Sequence, residues 1–206
     1  MKSIQVTLST LALLAIAGCA PAMNNGTDSG VGTDTPTPSA DAVGQACAEP
    51  PHPNPGAAIG TDFENVSMPY CDNTSFNFYQ NNFCDNQLTL IILSAGWCGP
   101  CQQEAAQLEA AIVQEYAGRV RVVTVYGQNV NRTPPTANEC MSWKNRFHLT
   151  SHMVYDPMGV MQRVFPNQAY PSNLIVDRNG RIQSREYGTS SGLQSLKDEL
   201  DRLLAQ

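Results

Sequence analysis

Cys98 and Cys101 stand two residues apart where an unbroken apolar run gives way to an amphipathic one. The run Leu88-Thr89-Leu90-Ile91-Ile92-Leu93 reads as a central strand buried on both faces. Beyond Trp97 the period changes, and Ala105, Leu108, Ile112 and Val113 recur at helical spacing until Gly118. The cysteine pair therefore sits where a strand hands over to a helix. There the first sulfur meets unpaired N–H groups and the positive end of the helix dipole. That environment favours a thiolate at Cys98, which becomes the attacking sulfur, while Cys101, one turn further in, is the resolving thiol. Pro100 is tolerated in a first helical turn.

Further strands are expected at Asp62–Val66, Ser75–Tyr79, Val120–Tyr126, His152–Tyr155, Leu174–Asp177 and Ile182–Tyr187, the last two joined by a turn at Asn179-Gly180. Helices are expected over Thr136–Phe147 (capped by Thr136 or Asn138), after Asp156-Pro157, and from Ser190 or Ser191 onward. The last carries Leu193, Leu196, Leu200, Leu203 and Leu204 on one face. Strand–helix–strand units followed by a hairpin and a helix define an α/β fold, a mixed sheet with helices on both faces.

The N-terminus reads as an export signal: Lys2, then a mostly apolar stretch from Ile4 to Ile16 that is short for a membrane span. Ile16-Ala17-Gly18-Cys19 resembles the bacterial lipobox, which implies cleavage after residue 18 and acylation of Cys19. Ala20 follows, with no aspartate to hold a lipoprotein at the inner membrane, so outer-membrane sorting is the expectation in a Gram-negative cell. An ordinary signal peptide with a chance cysteine is the plain alternative. Residues 19–58 are rich in Gly, Ser, Thr, Pro, Asn and Asp and form a tether that cannot build a core. The folded domain spans 59–206. Seven cysteines suit an oxidising compartment. A net charge of −6, with no Lys/Arg block, argues against nucleic-acid binding.

A lone Cys-x-x-Cys is also half of a zinc site, but no second pair stands near it in sequence. His148 and His152 are four apart, with a helix–strand boundary expected between them. Trp97-Cys98-Gly99-Pro100-Cys101 matches the thioredoxin motif residue for residue. The wider layout resembles the exported TlpA/ResA-like, redoxin-type branch of the thioredoxin-like superfamily. The marks of that branch are extra strands between Phe63 and Tyr79, an added stretch between Val125 and His152, and Tyr170-Pro171-Ser172-Asn173 ahead of a strand. The resemblance implies a cis-proline at Pro171 facing the sulfurs, its backbone pairing with an extended client. The implied client-binding face is Trp97, Gly99, Pro100, Tyr170 and Pro171. A strand-edge proline is the plain alternative. Thioredoxin has a buried Asp where this chain has Ile92, so proton transfer needs another group. Glu104, placed like a functional glutamate of the ResA-like branch, is the candidate; a solvated helix-face glutamate is the alternative.

Cys47, Cys71, Cys84 and Cys140 are read as structural disulfides, with Cys71–Cys84 favoured because they flank one short segment and Cys47–Cys140 left by elimination. A second redox relay is the competing reading. The resemblance implies a disulfide reductase acting on protein clients and recharged by a membrane electron donor. It requires no cofactor or metal beyond the Cys98–Cys101 disulfide itself. A thiol peroxidase and a non-enzymatic metal-chaperone or binding lipoprotein are the alternatives.

Overall fold

The structure, a computed structural model, describes residues 55–206 apart from 82, 84, 168 and 188–192. These belong to one compact unit of the chain, Val43–Gln206. Its strands are β1 (Ser67–Pro69), β2 (Ser75–Asn77), β3 (Leu88–Ala95), β4 (Val120–Gln128), β5 (His152–Tyr155), β6 (Ser172–Asp177) and β7 (Ile182–Tyr187). Its helices are α1 (Phe78–Asn81), α2 (Gly99–Leu108), α3 (Ala137–Arg146) and α4 (Leu193–Leu204).

Five strands make the main sheet in the order β5-β4-β3-β6-β7. The apolar run becomes β3 at its centre, buried at every residue. β3 runs parallel to β4 and antiparallel to β6, so the sheet is mixed. Because side chains alternate across a strand, neighbours in β3 serve different cores. Leu90 and Ile92 join the cluster under α2, α3 and α4. Ile91 and Leu93 join a second cluster with Phe63, Phe76, Phe78, Phe83 and Phe165. The second face is covered by the β1–β2 hairpin, α1 and the turn near Met161.

Several local expectations shift. The Asp62–Val66 segment forms no strand; Asp62 alone makes isolated bridges to Pro55 and Arg181, and pairing begins at Ser67. Thus Pro55 and Gly56, which the sequence assigns to the tether, already engage the domain, Gly56 N donating to Asp62 O at 3.0 Å. The helix of Ala105 to Val113 continues from α2 into a π-helical turn, Glu109–Gln114, and Gly118 at φ 76° follows it. Asp156 caps no α-helix. Gly159, left-handed at φ 67°, interrupts the chain, and only the 3₁₀ turn Val160–Gln162 forms, its amides Val160 N and Met161 N donating to the Asp156 carboxylate at 2.9 Å each. Thr136, not Asn138, caps α3, in a reciprocal box with Glu139. The proposed cap of α4 at Ser190 or Ser191 lies outside the described residues.

The favoured cysteine pairing is corrected. Cys71 bonds Cys140, not Cys84, with Cα atoms 5.3 Å apart. Proximity in sequence misled here: Cys71 lies just after β1, where Tyr70 bridges Val154 of β5, and α3 packs on that same strand and brings Cys140 to it. Cys140 therefore has no free sulfur for Cys47, and Cys19, Cys47 and Cys84 lie outside the described residues.

Candidate functional site

β3 ends at Ala95, and the chain turns through Gly96 and Trp97 into α2. Gly96 is required sterically: a Cβ there would stand 2.3 Å from the Tyr126 hydroxyl and 2.8 Å from Val130 N. Its amide donates to Gln128 O at 2.9 Å, which fixes the turn against the end of β4. Cys98 then takes the N-cap position of α2 with extended backbone angles, φ −85° and ψ 105°. Its sulfur accepts a hydrogen bond from Cys101 N at 3.1 Å. One orphan amide of the helix start is thereby turned on a sulfur, the arrangement that stabilises a thiolate. Pro100 sits in the first turn, where no amide is needed.

Cys98 and Cys101 form a disulfide in this structure. Both are buried, at 2 % and 1 % exposure. Trp97 and Tyr170 pack on the cluster that contains the two sulfurs. Their rings meet edge to face at 5.5 Å. The Trp97 indole N–H donates to Gln128 Oε1 at 2.8 Å, and the Arg132 guanidinium lies 3.8 Å from the centre of its ring. Burial, together with Asp156, pushes the Tyr170 phenol up to about 12, so it stays protonated through the neutral range.

The Tyr170–Pro171 peptide bond is cis. Pro171 immediately precedes β6, whose first residue, Ser172, pairs with Leu93 near the carboxyl end of β3. The proline and the redox motif therefore emerge from adjacent strands at the same end of the sheet. Gly99 is open, with no heavy atom within 4 Å of a Cβ built on it.

Glu104 is 7 % exposed, although one turn of helix was its only mark in the sequence. Burial raises its carboxyl from the ordinary 4.5 to about 7; a hydrogen bond from Asn173 opposes the rise and the charge of Glu186 adds to it. Glu104 Oε1 has no hydrogen-bond partner, and neither does Asn173 Oδ1. Asn173 lies two residues beyond the cis-proline and pairs in register with Ile92 on one side and Glu186 on the other. Gln128 and Arg132 belong to no motif, and sequence reasoning missed them; Gly96 and Asn173 stood beside motif residues without a role, and only the Gly before Trp97 could have signalled the close approach of β4. Among the described residues no three His, Cys, Asp or Glu side chains gather as a metal site.

A disulfide capping a helix at the carboxyl end of a central strand, beside a cis-proline, defines a thioredoxin-like thiol–disulfide oxidoreductase. Residues 58–202 match the Redoxin family, and the chain belongs to it. Its fold is similar to that of a chain assigned as the thiol:disulfide interchange protein DsbE of Chlorobium tepidum, at 18 % identity and a TM-score of 0.61 over 72 % of this chain and 99 % of that one. A thiol-disulfide oxidoreductase from Bacteroides fragilis gives 17 % and 0.56, over 69 % and 99 %. A secreted Mycobacterium tuberculosis disulfide oxidoreductase, homologous to Escherichia coli DsbE, gives 14 % and 0.53, over 68 % and 95 %.

Proposed function

We propose that this protein is an exported, membrane-anchored disulfide reductase that uses Cys98 and Cys101 as its dithiol and is held to the envelope by acylated Cys19. The observation that carries the reading is the Cys98 sulfur at the N-cap of α2, accepting the Cys101 amide, on the helix that also buries Glu104. In the forward reaction the Cys98 thiolate attacks a client disulfide. A mixed disulfide forms, and one client sulfur leaves as a thiolate. Cys101 gives up its proton and attacks the Cys98 sulfur, and the second client sulfur leaves as a thiolate. Two electrons pass from the dithiol to the client, and Cys98–Cys101 closes. A membrane dithiol donor would reopen it. Glu104, on the same helix with its carboxyl raised to about 7, would exchange a proton with the resolving thiol. Pro171, Tyr170 and Trp97 supply the docking edge.

The test is reduction of a protein disulfide by the dithiol form, with single-cysteine variants. Cys98→Ser should abolish turnover. Cys101→Ser should arrest a client on Cys98 as a stable mixed disulfide that mass spectrometry identifies. A Cys98 thiol that titrates at the free value, about 8.5, and captures no client would defeat the proposal. Cys19→Ser should move the protein from the membrane to the soluble fraction.

A further inference from the structure

Among the described residues, Arg121 is paired with Asp85, Arg163 with Glu64, Arg181 with Asp62, Lys197 with Glu115 and Arg202 with Glu199. Arg132 is not. It is exposed, and among the described residues no carboxylate pairs with it. Its position is nevertheless built. Asn129 Oδ1 accepts the amides of Asn131 at 2.9 Å and Thr133 at 3.1 Å, and Asn129 Nδ2 donates to Glu139 Oε1 at 3.1 Å. Arg132 N donates to Asn129 O at 3.1 Å. This tight loop holds Arg132 at φ 64°, a left-handed angle that a side-chain-bearing residue adopts only when its surroundings impose it. The result is a guanidinium laid on the face of Trp97, next to the cysteine pair.

Stacking engages the face of a guanidinium and leaves the N–H groups in its plane free to fork onto a carboxylate. Beside it, a cavity of about 180 Å³ is bordered by Gly96, Val130, Trp143 and Arg146. Val130 is 64 % exposed. Arg146 donates to Gln102 Oε1 at 3.1 Å and lies 5.1 Å from the centre of the Phe147 ring, and among the described residues it likewise has no carboxylate partner. Glu139 also borders the cavity, but its oxygens are taken by Asn129 and by Thr136 N and Oγ1. On a chain of net charge −6, two arginines with no carboxylate partner among the described residues flank the Gly96–Trp97 turn.

We propose that Arg132, backed by Arg146, makes this edge of the redox centre a docking site for acidic client segments, so that disulfides flanked by Asp or Glu are the preferred substrates. The proposal rests on the oxidoreductase reading and adds a substrate class to it. A client strand pairing at Pro171 would lay its acidic side chain against the guanidinium held over Trp97.

Two synthetic peptides with the same disulfide loop, one flanked by Glu and one by Lys, test it on the reduced full-length protein in detergent. At low ionic strength the Glu peptide should be reduced about fivefold faster, and the advantage should fall toward parity at about 0.5 M salt. Arg132→Gln should remove the advantage and Arg132→Glu should invert it. A variant that merely loosened Trp97, or changed the acidity of Cys98, would slow both peptides alike and leave their ratio unchanged. Equal rates in the native protein, or a ratio untouched by Arg132→Gln, overturn the proposal. Failure to reduce either peptide overturns the oxidoreductase reading and this one with it.

Discussion

A glutamate in water titrates near 4.5, and Glu104 is held near 7 because α2 carries it into the helix-side core, with only Asn173 to offset the loss of water. The folded state therefore keeps a proton that the unfolded chain has already released between those two pH values. Stability must fall as pH rises through that window, with the contribution intact below about 4.5 and lost above about 7. A gap of this size is worth on the order of 3 kcal/mol. Glu104→Gln, which cannot ionise, should match the native protein near pH 4 and exceed it by a few kcal/mol at pH 8. Urea midpoints at the two pH values measure this; equal gaps at both would show that Glu104 is solvated. The spacing of Glu104 from Cys101 was legible in the sequence, and its burial was not. Helical periodicity places a residue one turn away but does not say what lies across from it. Here that is Asn173, brought in by β6 from nearly seventy residues further along the chain.

Elements built from local pattern were legible: β3, β4, β5, the β6–β7 hairpin, and the leucine face of α4 all follow from periodicity and turn residues. Elements that depend on distant partners were not. Asp62–Val66 alternates like a strand yet makes only isolated bridges at Asp62, whereas Ser67–Pro69 pairs with β2. The Cys71–Cys140 bond belongs to the same class. It ties the β1–β2 hairpin to α3 across 69 residues, and other contacts reinforce it. Tyr70 Oη and His152 Nδ1 lie 2.8 Å apart, and the Tyr155 hydroxyl donates to Asn73 Oδ1 at 2.6 Å. Together they cover β5, which would otherwise be an open sheet edge. Closing a loop of that length is worth about 4 kcal/mol in the chain-entropy picture. Replacing both cysteines with alanine should destabilise the domain by about that amount. Amide exchange should rise first in β5, while Cys98–Cys101 cycling persists. All four sulfurs are buried, but only Cys98 caps a helix and is stabilised as a leaving thiolate by an amide, so thiol mapping under mild reductant should find Cys71 and Cys140 still bonded when Cys98 and Cys101 are free. Their simultaneous opening would argue for a relay between the two pairs.

At the scale of the whole molecule, the central sheet separates chemistry from support. Both described disulfides, Glu104's helix and the motif tryptophan lie on the side covered by α2, α3 and α4. The other face is an aromatic core that holds none of the described cysteines. Ile91 and Ile92 are adjacent in β3 and both buried, yet they point to opposite sides. Truncating either to alanine removes similar apolar contact and should cost about 2–5 kcal/mol. Their effects on thiol exchange should differ. Ile92 shares the cluster of Cys98 and Cys101 and pairs in register with Asn173, the residue that bonds Glu104. A cavity at Ile92 lets water relieve the desolvation that raises Glu104, which lowers its titration point toward the ordinary value. A cavity at Ile91 opens on the far side of the sheet and leaves that environment unchanged. The pH–rate profile of disulfide reduction should therefore shift to lower pH in Ile92→Ala and stay in place in Ile91→Ala, at comparable losses of stability. Equal shifts in both variants would mean that the two faces are mechanically coupled, and that the redox centre senses the stability of the fold rather than the composition of its own core.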